Sequence, residues 1–129
     1  MNHFKEKLAS EIVDCAFQVH KELGPGLLES VYQVCMEREL AKRKIPFMRQ
    51  VFIPVIYKGE ELDADFRIDL LVANEIVVEL KSVEVMLPVH EAQLLTYLKL
   101  SEKHPGFLIN FNVPLIKKGI KRMLNGYEK

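Results

Sequence analysis

Asp69, Glu79 and Lys81 are spaced so that a single turn could bring them together. Between them runs LLVANEIVV, two apolar runs around Ala73-Asn74-Glu75. Asparagine is a favoured turn residue, so the two runs read as the strands of a hairpin. With Asn74 at its centre, positions 69 and 79 are equally far from the turn and fall opposite each other. Directly opposed residues of a hairpin have Cβ atoms about 4.5–5.5 Å apart on a common face. Lys81 lies two residues beyond Glu79 and so shares its face. A slip of one residue would separate the two acids.

Two carboxylates this close raise one another's pKa unless a cation sits between them. Mg²⁺ suits oxygen ligands and is typically held by one or two carboxylates with waters and a substrate phosphate. Lys81 would then stand where it could orient a nucleophilic water or neutralise charge developing on the phosphate. On an open sheet face the same three residues would instead form solvated ion pairs worth less than about 1 kcal/mol.

The elements that must position these residues can be read from periodicity. Leu8, Ile12, Cys15, Ala16, Val19 and Leu23 recur at three- and four-residue steps and mark an amphipathic helix, broken by Gly24-Pro25-Gly26. A second helix is expected from about Leu28 to Arg43, with Val31, Tyr32, Cys35 and Leu40 inward. After Pro46 the period becomes two: Phe47, Val51, Ile53, Val55 and Tyr57 share a parity and predict one strand, followed by a turn at Lys58-Gly59-Glu60. In LDADFRIDLLV the residues Leu62 to Val72 alternate, with Asp63, Asp65, Arg67 and Asp69 on the polar face. Asp63 and Asp65 read as solvated.

A third helix is expected from Pro88, tolerated in a first helical turn, to about Ser101. His104-Pro105-Gly106 should break it, and Phe107, Ile109, Phe111 and Val113 predict a last strand, parallel to the one ending at Lys81. After Pro114 the pattern fits strand or helix.

A chain of 129 residues fits one domain, 1–129, able to bury a core without disulfide or metal. Cys15 and Cys35 lack zinc-like spacing and read as small core residues. No apolar run approaches the length of a membrane span, and the N-terminus lacks a secretory pattern, so a cytoplasmic location is expected. Eighteen basic residues balance eighteen acidic ones, which excludes the general basic excess of a nonspecific nucleic-acid binder and leaves KKGIKR, Lys117 to Arg122, as the one dense basic run. His20 and His90 lack metal-ligand spacing and are expected in surface or supporting roles.

Taken together, an acid on one strand and E-x-K on the next, Asp69 and Glu79-Leu80-Lys81, resemble the motif of the PD-(D/E)XK nuclease superfamily. Gly26-Leu27-Leu28-Glu29-Ser30-Val31-Tyr32 spells G-x-x-E-x-x-Y, which resembles the signature of the GxxExxY family within it. Gln93-Leu94-Leu95-Thr96-Tyr97 is similar to the Q-x-x-x-Y that follows the E-x-K strand in RecB-type nucleases.

The resemblance implies a single restriction-endonuclease-like α/β domain of ααβββαβ order, a central mixed sheet flanked by helices. It implies hydrolysis of nucleic-acid phosphodiesters with Mg²⁺, or Mn²⁺ in its place. Asp69, Glu79 and the Leu80 carbonyl would ligate the metal, Glu29 would reach it directly or through water, and Lys81 would assist the water. Gln93 and Tyr97, one helical turn apart, would buttress the site or contact substrate, while Tyr32 would support it as core packing with a bonded hydroxyl. Nucleic acid is the expected partner, DNA ahead of RNA, with no membrane and with a homodimer as the commonest symmetric assembly. The competing reading is a catalytically silent nuclease-like module that binds nucleic acid or protein, which the neutral net charge favours.

Overall fold

The computed structural model describes residues 2–62 and 66–126. Asp63 and Asp65 therefore lie outside the described residues.

Helix α1 spans His3–Leu23. Asn2 caps its start by accepting the Lys5 N–H at 2.9 Å, and Gly24, at φ +69°, ends it with its N–H on the His20 carbonyl at 2.7 Å. Helix α2 spans Glu29–Lys42 and buries Tyr32, Gln33, Met36 and Leu40. The expected inward stripe was rotated from this one: Val31 is exposed and Cys35 only half-buried. Tyr32 sets the rotation, because its ring stacks on Phe111 with centroids 4.4 Å apart. Arg43, just past α2, ties the two helices together through Glu11 at 2.9 Å and Asp14 at 2.6 Å.

Five strands form one mixed sheet in the order β1-β4-β5-β6-β7: β1 Phe47–Phe52, β4 Arg67–Val72, β5 Ile76–Lys81, β6 Pro105–Asn110 and β7 Ile120–Leu124. Neighbours are antiparallel except β5 and β6, which run parallel across the crossover helix α3, Pro88–Ser101. This is the α/β arrangement the sequence predicted, with three helices around a central mixed sheet.

Three elements differ from expectation. The strand expected over 47–57 is interrupted after Phe52, at Ile53-Pro54, where proline supplies no N–H to a ladder. Its far half pairs instead as a separate hairpin, β2 Val55–Tyr57 with β3 Glu60–Leu62, turning at Lys58 and Gly59, both at positive φ. Pro105 and Gly106, expected as breakers, already belong to β6. Gly106 lies under α3, where a Cβ would meet Leu94 Cδ1 at 3.1 Å and Leu98 Cδ2 at 3.2 Å. The chain then leaves the sheet after Asn110, makes a 3₁₀ turn over Ile116–Gly119 and returns as β7.

Each face of the sheet has its own core. Leu70, Val72, Ile76, Val78 and Leu80 pack beneath α1 and α2, whereas Leu71, Val77 and Leu108 pack with Leu94 and Leu98 of α3. Strict alternation would put Ile68 with Leu70, yet Ile68 packs on the α3 side. In β1, likewise, Phe47 lies on the α1/α2 side and Val51, of the same parity, on the α3 side. Both strands change face at one level, where the register from Arg49↔Leu70 to Val51↔Ile68 sets Gln50 opposite Asp69. Gln50 makes the change at φ +47°. No helix among the described residues is long and apolar enough to cross a membrane.

Candidate active site

The hairpin register follows from its turn. Ala73 and Asn74 both adopt positive φ, and the Glu75 N–H closes on the Val72 carbonyl at 2.9 Å. The β4–β5 ladder runs from Val72↔Ile76 to Leu70↔Val78. One residue further, Asp69 stands opposite Glu79, as the sequence predicted, and side chains take over from the ladder. The Leu80 N–H donates to Asp69 Oδ2 at 2.8 Å, and the Asp69 N–H donates to Glu79 Oε1 at 3.0 Å.

Glu79 is only 5% exposed, so a solvated surface ion pair does not describe it. Its burial, and then the neighbouring Asp69 charge, push its carboxyl up to about 9. A hydrogen bond between the two carboxyls acts in the same direction, while the Asp69 N–H and the Lys81 charge oppose it. At neutral pH the pair therefore holds a proton.

The donor set fits a hard divalent cation: two neighbouring carboxyls, one of them buried, that a positive charge between them would stabilise in the ionised form. Leu80 adds a third oxygen on the same side, since the N–H and C=O of one strand residue leave the strand together and its N–H is on Asp69. Lys81 is half-buried beside Glu79, and its ammonium makes no hydrogen bond or ion pair with a described residue.

On α3, the half-buried Tyr97 lies edge-on to Phe66, with ring centroids 4.5 Å apart. Burial, and then the charges of Glu79 and Asp69, raise its hydroxyl above the usual phenol range. Gln93 is exposed one turn before it. Glu29 opens α2 and is exposed, and it does not join the two acids: among the described residues no three His, Cys, Asp or Glu side chains group as metal ligands. Tyr32 is fully buried; its hydroxyl donates to the Gly24 carbonyl at 2.6 Å and accepts the Leu27 N–H at 3.2 Å, clasping the loop before Glu29.

Several residues missed from the sequence shape the surroundings. Gln33 Nε2 donates to the Asp69 carbonyl at 3.1 Å. Buried Asn110 holds both backbone groups of Val83, and Ser82 Oγ donates to the Leu27 carbonyl at 2.5 Å, so the segment after Lys81 is anchored to β6 and to the loop before α2. An amide within an otherwise apolar run, as Asn110 is in FLINF, was the available signal. The histidines hold loops: His90 Nδ1 accepts the Leu87 N–H at 3.0 Å, and His20 bonds the Val113 carbonyl at 2.8 Å. The basic run is partly neutralised, with Lys121 on Glu91 at 2.7 Å and Arg122 on Glu6 at 2.6 Å.

An acid within one central strand, facing E-x-K on the next, is now placed by register and by bonds. The family model of the PD-(D/E)XK nuclease superfamily matches residues 6–123. The chain belongs to that superfamily. The matched span runs from within α1 into β7 and so includes Asp69, Glu79 and Lys81. Comparison with curated proteins and with solved structures returns no match.

Proposed function

We propose that this chain is a cytoplasmic, metal-dependent nuclease of the GxxExxY branch, a single PD-(D/E)XK domain over 1–129 that hydrolyses phosphodiester bonds in nucleic acid. The observation that carries the reading is the buried acid pair: Glu79, held against Asp69 and raised to about 9, is poised to exchange its proton for a divalent cation. The GxxExxY assignment is supported by the work each residue does locally. Gly26 turns at φ +99°, Glu29 begins α2, and Tyr32 locks the loop between them.

Asp69, Glu79 and the Leu80 carbonyl are the proposed ligands of Mg²⁺ or Mn²⁺, with Glu29 reaching the cation through water. When bound, the cation supplies Lewis acidity toward a phosphate and lowers the pKa of water. Asp69 and Glu79 hold their positions through the main-chain N–H groups they accept. Lys81, without a partner of its own among the described residues, orients the attacking water and offsets the charge that gathers on the phosphate. Tyr97 limits water access on the α3 side, and Gln93, exposed next to it, meets the substrate backbone. DNA is the proposed substrate ahead of RNA, and a two-fold homodimer the proposed assembly.

Cleavage of labelled single-stranded, duplex and branched DNA and RNA in Mg²⁺ or Mn²⁺ tests this. Cutting that needs metal and vanishes in Glu79→Gln and Lys81→Ala is the expected result. A folded protein that cuts none of them overturns it in favour of a silent binding module.

A further inference from the structure

Helix α2 buries one residue that has no apolar reason to face the core. Gln33 is 7% exposed among Tyr32, Met36 and Leu40. Its Nε2 donates to the Asp69 carbonyl at 3.1 Å, and its Oε1 accepts Gln50 Nε2 at 2.8 Å. A carbonyl only accepts, which fixes the orientation of the Gln33 amide.

The location gives these bonds their meaning. Gln50 and Asp69 are the opposed residues at which β1 and β4 change face, and they are the gap in an otherwise continuous register. Asp69 also stands just beyond the end of the β4–β5 ladder. Its main chain is held from outside the strand ladders: Glu79 takes the N–H and Gln33 takes the carbonyl. An aspartate carboxylate hangs on one methylene, so where the main chain goes the carboxylate follows.

We propose that Gln33, backed by Gln50, is a positioning residue of the metal site: it fixes the Asp69 main chain at the change of face and thereby sets the affinity of the Asp69–Glu79 pair for a divalent cation. This rests on the active-site reading above. Groups that orient metal ligands typically change metal affinity about 10–100-fold when removed. If the amide served only to satisfy a buried carbonyl, its loss would lower stability and leave the affinity where it was.

Mn²⁺ titration followed by electron paramagnetic resonance, with thermal unfolding alongside, separates the two. Gln33→Met keeps the length and removes both bonds; it is expected to weaken Mn²⁺ binding about 10–100-fold in folded protein. Gln50→Asn tolerates positive φ but is too short to reach Gln33, and a smaller loss, of a few-fold, is expected. The double variant should bind no more weakly than Gln33→Met, because the Gln50 bond acts through Gln33. Wild-type affinity in folded Gln33→Met overturns the proposal; if that variant does not fold, wild-type affinity in Gln50→Asn does so. Glu79→Gln is the control. Should it bind Mn²⁺ like the wild type, the active-site reading itself fails, whereas loss in Glu79→Gln with no change in Gln33→Met removes this proposal alone.

Discussion

Asp69 and Glu79 each grip the main chain of the other's strand. Asp69 Oδ2 takes the N–H of Leu80, next to Glu79, and Glu79 Oε1 takes the N–H of Asp69 itself. The exchange begins where the β4–β5 ladder stops, so the carboxyls prolong the sheet by one pairing.

Stability without metal should depend on pH through Glu79. Its folded-state value, about 9, lies above the ordinary 4.5, so its contribution is fully present below about 4.5 and is lost as pH rises through 9. The metal-free protein should show a falling unfolding midpoint from pH 5 to pH 9. Glu79→Gln, neutral throughout, should flatten that part of the slope.

Under the proposed function, a cation that binds the pair displaces the same proton. Mn²⁺ affinity is expected to rise by up to about tenfold per pH unit between pH 6 and 8, with a proton released on binding. Calorimetry in buffers of different ionisation enthalpy counts that proton. Glu79→Gln should lower the affinity at least about 100-fold and remove the pH dependence.

Lys81 is assigned to the chemistry rather than to cation binding. Lys81→Met should lower the cleavage rate by roughly 10²–10³-fold, the usual range for removing one preorganised group that stabilises developing charge, with Mn²⁺ affinity within a few-fold of wild type. Single-turnover cleavage with saturating metal separates the two quantities. A parallel loss of affinity would assign Lys81 to the binding of the cation.

Tyr32→Phe keeps the stack on Phe111 but leaves the Gly24 carbonyl and Leu27 N–H without the hydroxyl. A cost of about 1–3 kcal/mol is expected in urea unfolding.

Two glycines should respond in a definite order. A methyl group at Gly106 would press on the side-chain ends of Leu94 and Leu98 and on the Val77 carbonyl at 3.1–3.2 Å, and a cost of about 1–3 kcal/mol is expected for Gly106→Ala. At Gly119 it would overlap the Asn110 carbonyl oxygen, far closer than any contact at Gly106, so Gly119→Ala should be the more destabilising in the same urea assay.

The hairpin was legible because Asn74 marks the turn and two apolar arms of equal length fix the register. The change of face was not. Gln50 and Asp69 look like ordinary polar positions in alternating strands, and only the helices packed on either side reveal that Ile68 and Leu70 point opposite ways. Gln33 was invisible for a related reason: periodicity assigns a polar residue to the solvent side, whereas the partner that draws it inward lies 36 positions away. Pro105 and Gly106 were read as punctuation because local chemistry marks them so, and the close approach of α3 that calls for glycine is tertiary. β7 was left open because its neighbour, β6, is what makes it a strand.

The crossed bonds of the acid pair also separate what each residue of the site does for the fold. Asp69 and Glu79 fasten β4 to β5 whatever chemistry they do, so losing either carboxyl should weaken the fold as well as any reaction. Lys81 fastens nothing among the described residues. Replacing the lysine alone should therefore leave the β4–β5 fastening intact, so the fold does not depend on that residue as it does on the two acids.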